Sequence, residues 1–141
     1  MLKPGVLQRR IAGEIIHRFE RKGFKIIALK MIHIDRALAE THYQEHAGKN
    51  FYKELIEFSI SGPVIALILE ADDGIALARQ LIGATRVLES QPGSIRGDYA
   101  NSTTLNVIHA SDSLENAARE IALFFKKEEI LPWEDGNAKW Y

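Results

Sequence analysis

His109 has the sequence context of a reactive side chain. In Asn106-Val107-Ile108-His109-Ala110-Ser111-Asp112 it ends a predicted strand and directly precedes a predicted helix, whose first N–H groups attract anions. Glu120 lies roughly two to three turns into that helix and can reach one imidazole nitrogen, which leaves the lone pair of the other nitrogen free to attack. Spacing alone leaves a half-buried histidine at a strand end as an equal interpretation.

Cationic and hydroxyl side chains around a long irregular segment could supply an anion site. Arg79 and Arg96 flank that segment, and Thr85 lies between them. Guanidinium groups bind phosphate oxygens in pairs and spread developing negative charge, so near a nucleophilic histidine they would suit a polyphosphate. Taken singly, each arginine reads as a solvated surface residue. Lys3, just before Pro4, is either a phosphate or hydroxyl contact or a charged strand end.

Apolar periodicity predicts the elements that must position these side chains. We expect helices over residues 13–22, 35–46 and 51–60 and after Gly74, and strands over residues 25–34, 64–70 and 104–109. Residues 84–101 carry mainly turn residues and predict a long functional loop. A last helix, capped by Asp112, should bury one apolar face made of Leu114, Ala117, Ala118, Ile121 and Phe125.

This order of elements predicts an α/β (α+β) fold of the ferredoxin-like βαββαβ type, with a four-stranded antiparallel sheet covered by helices. Only Met1 and Leu2 precede Lys3, so the first strand is expected to be truncated, as if the chain began inside a longer strand. The length of 141 residues predicts one domain over residues 1–141.

Composition excludes several classes of protein. The absence of cysteine excludes thiolate nucleophiles, disulfides and cysteine-ligated zinc. Eighteen Lys and Arg against nineteen Asp and Glu, with no basic block, argue against charge-driven nucleic-acid binding. No apolar run approaches the roughly 20 residues of a membrane span, and the first residues leave no room for a signal peptide. The sequence therefore predicts a cytoplasmic protein without a membrane partner.

The chain resembles the nucleoside diphosphate kinases from its first helix through its last. Its most specific motif is Asn-x-x-His followed by a small residue and Ser-Asp, found here at residues 106–112. The other matching segments are Lys3-Pro4, residues 13–20, Gly23-Phe24, His42-Tyr43, Phe51, residues 61–64, Gly83-Ala84-Thr85 and residues 92–98.

The resemblance implies a phosphotransferase that works by a ping-pong mechanism. His109 would take the γ-phosphate of a nucleoside triphosphate, become phosphohistidine and pass the group to a nucleoside diphosphate. Glu120 and Ser111 would hold the imidazole, and Tyr43 would line the phosphate end. The resemblance assigns nucleotide binding to Lys3 and Asn106 at the ribose 3′-hydroxyl, to Lys3, Arg79, Thr85 and Arg96 at the phosphates, and to Phe51 against the base.

The resemblance also implies cofactors and partners. Mg²⁺ would be held mainly through nucleotide phosphates, with no dedicated metal site on the protein, and ATP would be the usual donor. A homo-oligomer is expected, with a hexamer favoured over a tetramer, because residues 133–141 end in an aromatic pair, Trp140-Tyr141, that needs a surface to cover. No specific nucleic acid is expected as a partner.

Several positions depart from the pattern of the family. Gly5 stands where the family has Asp, Leu105 where it has Arg, and Arg86-Val87 where it has Asn-Pro, while Thr103 and Thr104 replace Val and Gly. None of them is among the predicted site residues. Together with the short first strand, they keep open an alternative: a catalytically weakened nucleotide-binding or scaffolding relative.

Two further alternatives come from the residues themselves. His42 and His46 are four apart on a predicted helix, a spacing of two metal ligands, but no third ligand is evident and solvent-exposed helix histidines are the favoured interpretation. A βαββαβ nucleic-acid binder would need exposed aromatic residues on its central strands. The predicted strands at residues 25–34 and 64–70 carry none.

Overall fold

The computed structural model describes residues 1–140 of the chain. Short 3₁₀ turns lie at Gln44–His46, Val87–Glu89, Lys127–Glu129 and Ala138–Trp140. The longer elements are α1 (Ala12–Arg21), β1 (Lys25–Ile32), α2 (Arg36–His42), α3 (Tyr52–Ile60), β2 (Val64–Glu70), α4 (Gly74–Ile82), α5 (Ile95–Tyr99) and α6 (Leu114–Phe124).

The antiparallel pair β1–β2 is the regular part of the sheet. Its register runs from Lys25 opposite Glu70 to Ile32 opposite Val64, with a bulge at Ile27. β1 was expected to continue to residue 34. It ends at Ile32 because the residue before Val64 is Pro63, which has no backbone N–H to extend the ladder.

Leu2 represents the first strand and lies between β2 and a segment around Ile108. Leu2 and Ile65 exchange two backbone hydrogen bonds, of 2.7 and 3.1 Å. On the other side, the Lys3 N–H donates to the Val107 carbonyl at 3.0 Å and the His109 N–H donates to the Met1 carbonyl at 2.9 Å. The order β1–β2–Leu2–Ile108 is therefore that of the predicted ferredoxin-like sheet, all antiparallel.

The predicted strand over residues 104–109 is wrong in extent. Within residues 1–140, Ile108 alone of this segment forms a bridge, with Leu2, because the backbone paired with this segment is limited to residues 1–3. The four-stranded sheet is thus two strands and two single bridges within the described residues.

The helix boundaries differ from expectation where side chains compete for the core. The helix predicted over residues 35–46 stops at His42, because Tyr43 leaves helical geometry and its ring is buried. A 3₁₀ turn follows. Ser113, and not Asp112, caps α6, since its hydroxyl accepts the Asn116 N–H at 3.1 Å.

The predicted loop over residues 84–101 contains a helix. Ser94 caps α5 by accepting the Gly97 N–H at 3.1 Å, and this five-residue helix buries Ile95 and Arg96. A Cβ on Gly97 would collide with the backbone carbonyl of Gln91. The turn is therefore too tight for any other residue.

Two apolar layers cover the sheet. Ile15 and Phe19 of α1 pack with Ile95 and Ile108 on one side, and α6 contributes Ile121 beside the other. Each fully buried side chain of this size stabilises the fold by about 1.5–3 kcal/mol.

The apolar face predicted for the last helix is only partly buried. Phe125 is 8% exposed, but Leu114 is 80% exposed and Ala118 is exposed as well. Among the described helices, none is long and apolar enough to cross a membrane.

Candidate active site

The backbone fixes His109 at the end of the Leu2 bridge. Its side chain is 22% exposed, and its Nε2–H donates to the Glu120 carboxylate at 2.9 Å (Oε2) and 3.1 Å (Oε1). The Ser111 hydroxyl donates to Oε2 of the same carboxylate at 2.7 Å. The two predicted positioning side chains, Glu120 and Ser111, are therefore in place around the imidazole.

The hydrogen bond to Glu120 decides which nitrogen of His109 can react. A carboxylate can only accept, so Nε2 carries the proton and Nδ1 keeps its lone pair. Burial lowers the pKa of His109, and although Glu120 raises it, the net pKa stays below its usual value. The imidazole is therefore neutral near pH 7. Burial raises the pKa of Glu120, but the hydrogen bonds from His109 and Ser111 outweigh that effect and keep the carboxylate ionised.

His109 lines a cleft of about 390 Å³. No described side chain forms a hydrogen bond with Nδ1 of His109. Every residue assigned to the site from the sequence lines this cleft: Lys3, Tyr43, Phe51, Arg79, Thr85, Arg96, Asn106, His109, Ser111 and Glu120. Sequence reasoning missed His46, Leu55 and Asn116 in its wall, because these residues belong to no motif.

Two cations are buried beside the histidine. The Arg96 guanidinium donates to the carbonyls of Gly83 at 3.0 Å and Ile108 at 2.9 Å, which holds it against the backbone next to His109. Burial and the neighbouring Arg79 lower the pKa of Arg96 to about 10. Lys3 is 6% exposed, and burial together with Arg96 lowers its pKa to about 7.

Three residues of the cleft wall carry a buried polar atom that has no hydrogen-bond partner in the described chain. The Tyr43 hydroxyl, Nε of Arg96 and Oδ1 of Asn106 are inaccessible to solvent, and none has a hydrogen-bond partner within the described chain. A buried polar atom without a partner costs about 1–3 kcal/mol. Lys3, Arg79 and Arg96 in the same cleft wall form no ion pair within residues 1–140, and this uncompensated positive charge is what favours an anionic ligand.

Phe51 offers an aromatic surface at the mouth of the cleft. It precedes α3, is 42% exposed, and its ring centroid lies 5.5 Å from that of His46. Thr103 and Thr104, two of the positions that depart from the family pattern, also line the cleft. An exposed ring face of this kind can stack on a planar base without reading its edges.

His42 contradicts the sequence-based interpretation. It was expected on a solvent-exposed helix face, yet it is 2% exposed and its ring centroid lies 4.6 Å from that of His109. It reaches the core because α2 ends there and turns inward. His46, its partner in the two-ligand metal spacing, lies on the following 3₁₀ turn, where its Nε2 is 3.7 Å from the Glu45 carboxylate.

The family model described as "Nucleoside diphosphate kinase" matches residues 1–130 of the chain. The chain belongs to this family. The nucleoside diphosphate kinase of Treponema pallidum is 54% identical over 137 residues, which cover 97% of this chain and 92% of that relative. The Sulfolobus acidocaldarius enzyme of the same name is 57% identical over 126 residues, covering 89% of this chain and 87% of its own length.

Solved structures of nucleoside diphosphate kinases superpose on the whole fold. One from Halobacterium salinarum, in complex with CDP, is 42% identical with a TM-score of 0.95, covering 99% of this chain and 93% of that one. A family member from Babesia bovis is 43% identical with a TM-score of 0.93, covering 99% and 94%. The predicted family, fold class and phosphotransferase activity are confirmed, in preference to the weakened or scaffolding alternative.

One departure from the nucleoside diphosphate kinase pattern has a local structural answer. Gly5, where the family has Asp, adopts φ +91° and donates its N–H to Oε1 of Gln8 at 2.9 Å. The turn after Lys3 is thus closed by Gln8, and the backbone hydrogen bond from Lys3 to Val107 keeps the lysine in the cleft. Leu105, where the family has Arg, is 45% exposed and has no structural explanation here.

Proposed function

We propose that Nδ1 of His109 carries the phosphoryl group in a ping-pong transfer from a nucleoside triphosphate to a nucleoside diphosphate. One observation carries the proposal: the imidazole nitrogen left free by the Glu120 hydrogen bond belongs to a residue of the cleft wall that also holds the cations and unpartnered polar atoms. As a member of its family the chain is a kinase acting on nucleotides.

In the first half-reaction the Nδ1 lone pair attacks the γ-phosphorus. The bond between that phosphorus and the β–γ bridging oxygen breaks, and the nucleoside diphosphate leaves with the electron pair. The imidazole then carries phosphate on Nδ1 and its proton on Nε2, where the Glu120 carboxylate stabilises the positive charge that develops on the ring. The second half-reaction is the reverse, with a different nucleoside diphosphate as acceptor.

The cations supply alignment and charge stabilisation. Phosphoryl transfer asks a protein mainly for these two contributions. Arg96 is fixed by two backbone carbonyls, so its remaining N–H groups are pre-organised for phosphate oxygens. Arg79 and Thr85 lie in the same cleft wall and complete the phosphate site, with Tyr43 at its end. Lys3 and Asn106 are assigned to the ribose 3′-hydroxyl, and Lys3 to the phosphates as well.

Members of the family need a divalent cation, and we take it to be Mg²⁺ bound to the nucleotide. The described carboxylates in the cleft wall are Glu45, Asp112 and Glu120, and Glu120 is already occupied by His109 and Ser111. This donor set suits a cation held mainly by phosphate oxygens and water. The ion thus enters as part of the substrate, and we take ATP as the usual donor.

Phe51 is the residue that we assign to binding of the nucleobase. Its exposed ring would stack on any nucleobase, which supports broad acceptance of nucleotides rather than selection of one. The Halobacterium salinarum relative was solved with CDP, a nucleotide of the size that this cleft would take.

We also propose a homo-oligomer, with a hexamer favoured over a tetramer, in the cytoplasm where these nucleotides are abundant, built from one domain per chain. Large apolar side chains are exposed in support of contacts between copies: Leu88 is 101% exposed, Trp140 75% and Met31 65%. Tyr141, the other half of the predicted aromatic pair, lies outside the described residues.

The experiment is phosphate labelling from γ-labelled ATP. Acid-labile label should appear on the protein, and it should leave when GDP or dCDP is added. Replacing His109 with alanine should remove the label and reduce transfer by at least roughly three orders of magnitude, as expected for loss of an obligatory nucleophile. His33→Ala, at an exposed histidine, is the matched control and should label normally. Label that survives His109→Ala would refute the assignment.

A further inference from the structure

Beside the nucleophile lies a cluster of three potential metal ligands. His42, His109 and Glu120 each offer one ligand atom, and these atoms all lie within 4.8 Å of one another. His42 is the member that phosphoryl transfer leaves without a role. Both of its ring nitrogens are buried and have no hydrogen-bond partner in the described chain.

A second cavity of about 390 Å³ reaches all three side chains. His109 and Glu120 line both this cavity and the nucleotide cleft, whereas His42 belongs only to the wall of the second cavity among the described residues. Ser111 also lines it. An ion could therefore enter from a side that bound nucleotide does not fill.

The donor set determines which ion fits. Two neutral imidazoles and one carboxylate form a set that zinc uses in proteins, with a fourth position left open. Burial keeps His42 uncharged, which is the ligating form. Tetrahedral ligands at about 2.1 Å from zinc lie about 3.4 Å apart, so the widest pair must close by at most about 1.4 Å. Mg²⁺ prefers oxygen ligands in an octahedron and would not select this site.

We propose that His42, His109 and Glu120 bind one zinc-like divalent ion and that this ion holds the enzyme in an inactive form. A neutral imidazole has one proton and one lone pair. An ion on Nε2 of His109 moves the ring proton to Nδ1, and an ion on Nδ1 occupies the lone pair directly. Either way the nucleophile is blocked. Ion binding stands on the cluster alone, whereas the inhibition rests on the proposed function.

The binding test uses Zn²⁺ alone with the full chain, by equilibrium dialysis and titration calorimetry. Unmodified protein should bind one Zn²⁺ per chain, and an excess of Mg²⁺ should not displace it. His42→Phe should weaken that binding by at least about tenfold. His33→Phe, at an exposed histidine outside the cluster, should bind like the unmodified chain. Equal affinity in His42→Phe and unmodified protein would overturn the proposal.

Two further measurements keep the outcomes separate. If His42→Phe does not fold, zinc-soaked crystals of the unmodified protein test the site instead. An anomalous peak among the three side chains would support zinc binding there, and the absence of a peak would refute it. Labelling of His109 by ATP is measured without zinc, after zinc, and after a chelator. Label lost with zinc and restored by the chelator supports the inhibition, and label unaffected by bound zinc contradicts it. Absence of label without zinc would refute the proposed function and leave the dialysis result standing.

Discussion

Nucleotide binding should be accompanied by proton uptake at Lys3. Burial and Arg96 lower the pKa of this ammonium from 10.5 to about 7 in the free protein. Bound phosphates provide a counter-charge to the buried ammonium, so the pKa of Lys3 should return toward its ordinary value of 10.5. In the free protein Lys3 is therefore roughly half charged at pH 7 and about one-tenth charged at pH 8. In the nucleotide complex it should be fully charged at both pH values.

The expected magnitude follows directly. Binding of ADP should take up about 0.5 proton at pH 7 and about 0.9 at pH 8, and the dissociation constant should rise by up to about tenfold per pH unit above 7. Calorimetry in two buffers of different ionisation enthalpy measures the uptake. At pH 8 the phosphates of ADP are already ionised, so they contribute little.

Variants decide whether Lys3 is the group that titrates. Lys3→Met should abolish the proton uptake at pH 8. Arg79→Met, which removes another cationic side chain of the cleft, should weaken nucleotide binding but leave the proton uptake in place. Uptake unchanged in Lys3→Met, or absent from the unmodified protein, would refute the reasoning. The lowered pKa of Lys3 also affects folding. The unfolded chain binds the Lys3 proton more tightly than the folded chain. Without nucleotide, the free energy of unfolding should therefore rise between about pH 7 and 10, by at most about 1.4 kcal/mol per pH unit.

Four other substitutions test the geometry. Glu120→Gln removes the charge that orients the imidazole, and we expect stopped-flow phosphorylation by ATP to slow by roughly 10²–10⁴-fold with little change in nucleotide affinity. Arg96→Ala should slow the same step by about 10²–10³-fold; a loss of affinity at unchanged rate would show that Arg96 only binds. Gly97→Ala, which forces a Cβ against the Gln91 carbonyl, should lower the midpoint of thermal unfolding markedly, while Gly13→Ala, in α1 with open space around it, should raise it by the equivalent of about 0.5–1 kcal/mol.

The sequence predicted well those elements whose burial pattern extends over several residues. β2 begins and ends where predicted, because six consecutive apolar residues follow Pro63 and Glu70 closes the run. α5 was missed because five residues are too few to show a helical period, and its signals, Ser94 as a cap and Gly97 at a close approach, are decisive only in three dimensions.

The sequence predicted which residue types line the candidate site, but not which of these side chains are buried. The spacing of His109 and Glu120 anticipates a hydrogen bond, and the structure gives its length as 2.9 Å. The sequence carries no signal for the burial of Lys3, which lowers its pKa to about 7. This burial results from the pairing of Leu2 with Ile65 and Ile108. His42 was misjudged for the same reason: only the inward turn at the end of α2 brings it to His109.

The electrostatics of the cleft favour a polyanionic ligand. Arg96 and Lys3 are both buried, Arg96 lowers the pKa of Lys3, and the Glu120 carboxylate in the same cleft wall is hydrogen-bonded to His109. A neutral ligand would leave this charge uncompensated, and a monoanion would satisfy only part of it. A chain of phosphates would compensate both cations at once. The same burial keeps His109 neutral, so in the proposed mechanism the environment that would bind the triphosphate also leaves the lone pair of Nδ1 free to attack it.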